Sequence, residues 1–139
     1  MIRASFISAL LIVSLLLPAI GLSCSSAKIT AISGQEFTLP VGQTVVISGT
    51  GLMLKFVAVD ADSRCAKGNE CIVAGEAKCR IGITYKGASS DIVITQPGID
   101  ASSHGTLGNF KVDFKLEPYP EAGKPIAKSD YKLVMTVTK

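Results

Sequence analysis

The chain is expected to be all-β, two antiparallel sheets packed face to face. Three observations lead there. From Lys28 onward, apolar and polar residues alternate with a period of two nearly everywhere, the pattern of half-buried strands. Glycine, proline and asparagine fall between the alternating runs. No segment of helical length carries a 3.6-residue period. About seven or eight short strands at regular spacing argue for a sandwich that is immunoglobulin-like in the broad sense, with an open barrel as the alternative.

The elements are taken in chain order. Phe37 and Leu39 supply a short strand, Val45 and Ile47 a second. Leu52–Val59 is apolar on both faces apart from Lys55 and is expected to be a central, covered strand. Ala77, Cys79, Ile81, Ile83 and Tyr85 alternate with Lys78, Arg80, Gly82 and Thr84; Ile92 and Ile94 mark the next strand. Phe110, Val112, Phe114 and Leu116 alternate with Lys111, Asp113, Lys115 and Glu117. Tyr131, Leu133, Met135 and Val137 form the last apolar face. Turns are expected at Pro40–Gly42, Gly49–Gly51, Gly68-Asn69, Lys86-Gly87 and Pro97-Gly98. The segments Gly98–Gly108 and Pro118–Pro125 are the longest loops, and loops are where binding residues concentrate.

Residues 1–23 have the pattern of an export signal. Arg3 precedes an uncharged run from Ala9 to Leu17, and Pro18, Gly21 and Ser23 break it. An uncleaved membrane anchor is the alternative for this stretch. The exit Ile20-Gly21-Leu22-Ser23-Cys24 resembles a bacterial lipobox, which implies acylation of Cys24 and a signal peptide of the lipoprotein type. The match is loose, because Gly21 stands where leucine is usual and Leu22 comes one place late. Ordinary cleavage near Ser23 or Ala27 is the competing reading. Ser25 in place of aspartate after the cysteine implies outer-membrane sorting, facing the periplasm or the surface, with a soluble periplasmic or secreted protein as the alternative. Each buried acyl CH₂ contributes roughly 0.8 kcal/mol, so several chains on one cysteine anchor firmly.

Loss of the signal removes one base, Arg3, from the 14 basic and 11 acidic residues of the chain. The remaining segment, 24–139, is nearly neutral, is expected to form a single domain, and has no basic block. Basic runs interleaved with aromatic platforms, the footprint of nucleic-acid binding, are missing, so no nucleic-acid partner is expected.

Cys65 and Cys71 enclose Ala66-Lys67-Gly68-Asn69-Glu70, and Gly68-Asn69 supports a tight reversal. In an exported chain a disulfide is the default for such a pair. Closing so short a loop contributes roughly 2–2.5 kcal/mol in the chain-entropy account. A redox-active pair is disfavoured: the spacing is not Cys-x-x-Cys, and no flanking histidine or helix terminus lowers a thiol pKa. Asp60, Asp62 and Arg64 are expected to share a face at strand spacing, with Glu76 as a further carboxylate for Arg64. They are expected to form an ion-pair group that orders the disulfide loop; a weak cation site is the sharper alternative. Cys79 is expected to be a buried free thiol, or, if Cys24 is not acylated, its disulfide partner.

The block Asp62-Ser63-Arg64-Cys65 … Cys71-Ile72-Val73-Ala74-Gly75-Glu76-Ala77 resembles a family of small bacterial exported proteins and lipoproteins. Their shared core runs Asp-Ser-Arg-Cys-Pro, a spacer, then Cys-[Val/Ile]-Trp-x-Gly-Glu-Ala. The run Phe114-Lys-Leu-Glu-Pro118-Tyr-Pro120, with Asp130-Tyr131 further on, fits the same pattern. This chain departs from it at Ala66, in place of proline, and at Val73, in place of tryptophan. The resemblance implies fold and compartment and carries no activity with it.

His104, the only histidine, lies in Asp100–Gly105 and is expected to be an exposed loop residue. A Ser-His-carboxylate arrangement needs convergence around an oxyanion hole, and adjacency in a loop does not supply it. No catalytic residue, metal site or cofactor is therefore expected. The leading functional expectation is a non-enzymatic, extracytoplasmic, lipid-anchored module that binds an envelope protein or a peptide. A protease inhibitor presenting Gly49–Gly51 or Ser103–Gly108 is the alternative, and a metal-binding or enzymatic envelope protein is the third reading.

Overall fold

A computed structural model describes residues 28–98 and 102–139; the expected export signal and Cys24 lie outside the described residues. Nine strands succeed one another among the described residues: β1 Lys28–Ile32, β2 Glu36–Pro40, β3 Thr44–Ser48, β4 Leu52–Asp62, β5 Glu76–Tyr85, β6 Ala88–Pro97, β7 Ser103–Leu107, β8 Phe110–Glu117 and β9 Lys132–Thr138. They form a five-stranded sheet, β1-β3-β4-β5-β6, and a four-stranded sheet, β2-β9-β8-β7. The expected sandwich is present.

The alternating runs become the core because each strand buries one face against the opposite sheet. Leu52, Leu54, Phe56, Ala77, Cys79 and Ile81 of the first sheet meet Leu39, Phe110, Val112, Phe114, Leu116, Leu133, Met135 and Val137 of the second, all essentially inaccessible. Tyr85 at the end of β5 packs edge-on to Phe110, with ring centroids 5.3 Å apart. The Cys79 thiol lies wholly inside this core as a free cysteine, and burial pushes its pKa up to about 12. It is therefore a small hydrophobe in the packing.

Four sequence expectations change. The strands number nine, because β1 and β7 are five-residue edge strands with little apolar alternation to reveal them. The segment read as a loop through Ser103–Gly108 contains β7, so His104 sits in a strand, though it is exposed as expected. β1 pairs with β3 in parallel, since β2 crosses to the other sheet between them. β4 is central but not covered on both faces. Its outward residues Met53 and Val57 are only half-buried, with no further layer of described residues beyond them.

The topology divides the loops between the two ends. The tight turns β3–β4, β5–β6 and β7–β8 lie at one end. The Lys86-Gly87 turn has positive φ at both residues, 49° and 81°, the two-residue geometry whose twist matches paired strands. At the other end, the long β4–β5 loop beyond Asp62, the end of β6 at Pro97-Gly98 and the β8–β9 loop beyond Glu117 come together. That second end carries the cysteine block.

Candidate functional site

The site is assembled where β4 runs out of its partner. Register shifts between Phe56 and Ala58 and between Val59 and Ala61 make two irregularities in the β4–β5 ladder. The second sets Asp60 outside the pairing and reverses the facing of the residues beyond it. Asp60 consequently faces the outer surface, where the Arg80 guanidinium donates to it at 2.9 and 3.1 Å. Asp62, opposite the buried Ala77, has a side chain only 9% exposed. The sequence expectation that Asp60 and Asp62 share a face is corrected by this bulge. Glu76 also stays clear of Arg64 and pairs with Lys78 at 3.0 Å on the exposed face.

Arg64 is thus left with one carboxylate and two carbonyls. Its Nε and Nη2 donate to the two oxygens of Asp62 at 2.8 and 2.7 Å, a bidentate pair. Nη1 donates to the Leu116 carbonyl at 2.8 Å and Nη2 to the Pro118 carbonyl at 3.1 Å. The Tyr131 hydroxyl donates to Asp62 at 3.0 Å, and the Tyr119 ring covers the guanidinium at 5.0 Å. The Arg64 side chain is completely enclosed. One cation from the first sheet therefore ties down the end of β8 and the start of the β8–β9 loop. The Gln96 carbonyl oxygen accepts the Leu116 N–H, so both backbone groups of Leu116 are held by side chains of the other sheet.

Burial alone would raise the Asp62 pKa. The hydrogen bonds and charge of Arg64, with the Tyr131 hydroxyl, outweigh it and hold the carboxyl below its ordinary value. Burial, then the Asp62 charge and hydrogen bond, pushes the Tyr131 phenol up to about 12. At neutral pH the cluster is carboxylate, guanidinium and neutral phenol.

The loop above it is closed in three places. The Ser63 N–H and hydroxyl both donate to the Glu76 carbonyl, and the Ser63 hydroxyl accepts from the Glu76 N–H. The Cys65 N–H donates to the Ala74 carbonyl at 2.9 Å. The Cys65–Cys71 disulfide is formed as expected. Gly75 makes the base possible: its φ is +71°, and a Cβ there would lie 1.8 Å from the Ser63 carbonyl oxygen. The loop then docks on the β8–β9 loop, with Lys67 N–H donating to Pro120 O and Ala122 N–H to Lys67 O, both at 2.9 Å. Lys67 Nζ lies 5.3 Å from the Tyr119 ring centre, and the Tyr119 hydroxyl donates to the Gly98 carbonyl.

This framework presents Ile72 and Val73 to solvent, 106% and 75% exposed. Sequence reasoning finds the cysteines, Arg64 and Asp62 but not Tyr119, Tyr131 or Gln96 as partners. Gln96 does carry a signal: it continues the inward phase of Ile92 and Ile94, where a polar residue has to bond across the core. His104 contacts the Asp113 carboxylate through Nδ1, on the exposed face of the β7–β8 hairpin away from this cluster. Among the described residues, no three His, Cys, Asp or Glu side chains converge as metal ligands would.

The cluster is tested by removing either charge. Arg64→Ala leaves Asp62 and two carbonyls buried without their donor and lowers unfolding free energy by about 3–5 kcal/mol, measured by urea denaturation. Because the folded Asp62 pKa lies below the unfolded value of 3.8, its stabilisation is complete above that value and is lost as pH falls through the lower folded pKa. Acid titration of the melting temperature shows that loss in the wild type and a flatter acid limb in Asp62→Asn.

A scan against protein-family models finds no match for this chain, and searches of curated proteins and of solved structures likewise return none.

Proposed function

We propose that the chain is an exported, non-enzymatic binding module. It is acylated at Cys24 and held at the outer membrane, and it docks an envelope protein or peptide through the tip of the stapled loop. The observation that carries this reading is the placement of Ile72 and Val73: two adjacent apolar side chains, both exposed, on a loop otherwise closed by a disulfide and by backbone bonds. Large apolar side chains held in water are a cost unless a partner covers them. A loop already ordered before binding loses little entropy on docking, so its contacts appear as affinity.

The resemblance to exported lipoproteins belongs to the same reading. Of the shared block, Asp62, Ser63, Arg64, Cys65, Cys71 and Gly75 are engaged in holding the loop, and Ala77 is core. Position 73, where that pattern has tryptophan, is at the exposed tip, so this chain presents a smaller apolar side chain there. The protease-inhibitor alternative has less support. Gly49–Gly51 is a tight turn braced by the Thr50 hydroxyl on the Ile47 carbonyl, and Ser103–Leu107 is a paired strand.

Proximity labelling in intact envelopes, with the labelling enzyme fused to the C-terminus, is expected to mark a reproducible partner. In the double variant Ile72→Ser/Val73→Ser the labelling falls at least tenfold while the melting temperature is unchanged; equal labelling by both proteins overturns the contact surface. The intact mass of native protein is expected to correspond to a chain beginning at acylated Cys24. An unacylated start at Ser25 or Lys28 removes the anchor.

A further inference from the structure

The sandwich has four edge strands, and three are short. β1 begins with Lys28, β2 carries Glu36 and Pro40, β7 contains Gly105, and each is five residues long. Shortness, charge and proline are the usual means by which an edge avoids pairing with another chain. β6 is different. It is ten residues long and in regular register with β5 from Ala88 to Pro97, and among the described residues no strand lies on its other side in the sheet. Its middle, Ile92-Val93-Ile94-Thr95, is entirely β-branched and uncharged, with Val93 53% exposed. Such a run has high strand propensity and a row of backbone donors and acceptors facing outward.

A cavity lies in line with that edge. About 360 Å³ opens between β6 and the β7–β8 turn, walled by Ile83, Tyr85, Ile92, Leu107 and Phe110, with Ser90 at its rim. Ser90 and Ile92 are alternate residues of β6 on the side facing the opposite sheet, so a strand added beside β6 would direct its own alternate side chains into this space. On the outer face, Thr44, Lys55, Gly82 and Asp91 stand in one row across β3, β4, β5 and β6. Gly82 offers Asp91 no side chain, and among the described residues Asp91 makes no ion pair. The position across from it on an added strand is therefore suited to a basic residue.

We propose that the β6 edge and its adjoining cavity form a second binding site, which takes up an extended segment of a partner protein as an added strand. An apolar side chain of that segment fills the cavity and a neighbouring lysine or arginine faces Asp91. Main-chain pairing to a free edge with pockets for alternate side chains is a general mode of peptide recognition. A second copy of this chain fits less well: antiparallel pairing of two β6 strands about Val93 brings Gln96, already bonded to Leu116 N–H, opposite Ser90 at the cavity. The site lies near the tight-turn end, remote from Ile72 and Val73, and it does not depend on that contact surface or on an anchor.

The test is a titration of the whole chain, monitored by amide NMR. The probes are two blocked nonapeptides that alternate leucine and valine with threonine and either lysine or glutamate. Saturable shifts confined to residues 88–95 and 106–110 are expected with the lysine peptide. Asp91→Lys is expected to weaken the lysine peptide about tenfold and to strengthen the glutamate peptide by a similar factor, an exchange that mere loss of structure cannot produce. Ser90→Trp, filling the cavity from an exposed position, is expected to abolish binding of both. The proposal is overturned by absence of saturable binding, by shifts centred elsewhere, or by Asp91→Lys leaving both affinities unchanged. A concentration-dependent dimer with β6 amides protected in the absence of peptide also overturns it, since the edge would then belong to a second copy. Loss of the Ile72/Val73 contact with this binding intact would separate the two surfaces.

Discussion

The Arg64 guanidinium is the constraint on which the loop end of this sandwich depends. Two sheets packed face to face are joined by non-directional apolar contact, which sets their separation but leaves the ends free to splay. Arg64 replaces that freedom with direction. Its fork matches the Asp62 carboxylate, and its remaining donors reach the Leu116 and Pro118 carbonyls on the opposite sheet. A lysine has neither the fork nor the number of fixed donors to do this. Because the side chain is enclosed, every donor must be satisfied, so the positions of Asp62, Leu116 and Pro118 are mutually determined. The β8–β9 loop starts from that fixed point, and the disulfide loop rests on it through Lys67, Pro120 and Ala122.

This arrangement explains the composition of the cysteine block. Asp62 and Arg64 are the ion pair, Ser63 closes the base with Glu76, the cysteines close the tip, and Gly75 admits the Ser63 carbonyl where any side chain would collide. Ala77 is in the core. Nearly every residue of the motif is thus committed to holding the loop, which leaves Ile72 and Val73 as its outward apolar face. The division is between a rigid frame and a small exposed apolar tip. The β6 edge obeys the opposite logic, offering regular backbone in place of a stapled tip.

The legible part of the fold is whatever depends on side-chain period. The inward faces of β5, β8 and β9 are apparent from alternation alone because burial on one face selects apolar residues two apart. β1 and β7 are not: β1 sets only Ile29 and the small Ala31 on its inward face, and the inward positions of β7 are Ser103, Gly105 and Leu107, whereas β2, equally short and also at an edge, shows itself through Phe37 and Leu39. The ion-pair group is half legible. The Asp62–Arg64 partnership can be read from proximity in sequence. Asp60 and Glu76 cannot be placed that way, because a bulge at Val59/Ala61 changes the phase and nothing in the residues around it announces a bulge.

Local sequence therefore determined the all-β architecture, the core-facing residues, the stapled pair and the acid–base couple beside it. Each of these depends on contacts or periodicities within a few positions along the chain. Tertiary structure alone decided that Arg64 bonds to carbonyls 52 and 54 residues away, that Tyr131 and Gln96 complete the polar network, and that β6 is the exposed long edge beside a cavity. Those outcomes depend on which strands become neighbours. Strand order is set by the packing of two whole sheets, and no single segment encodes it.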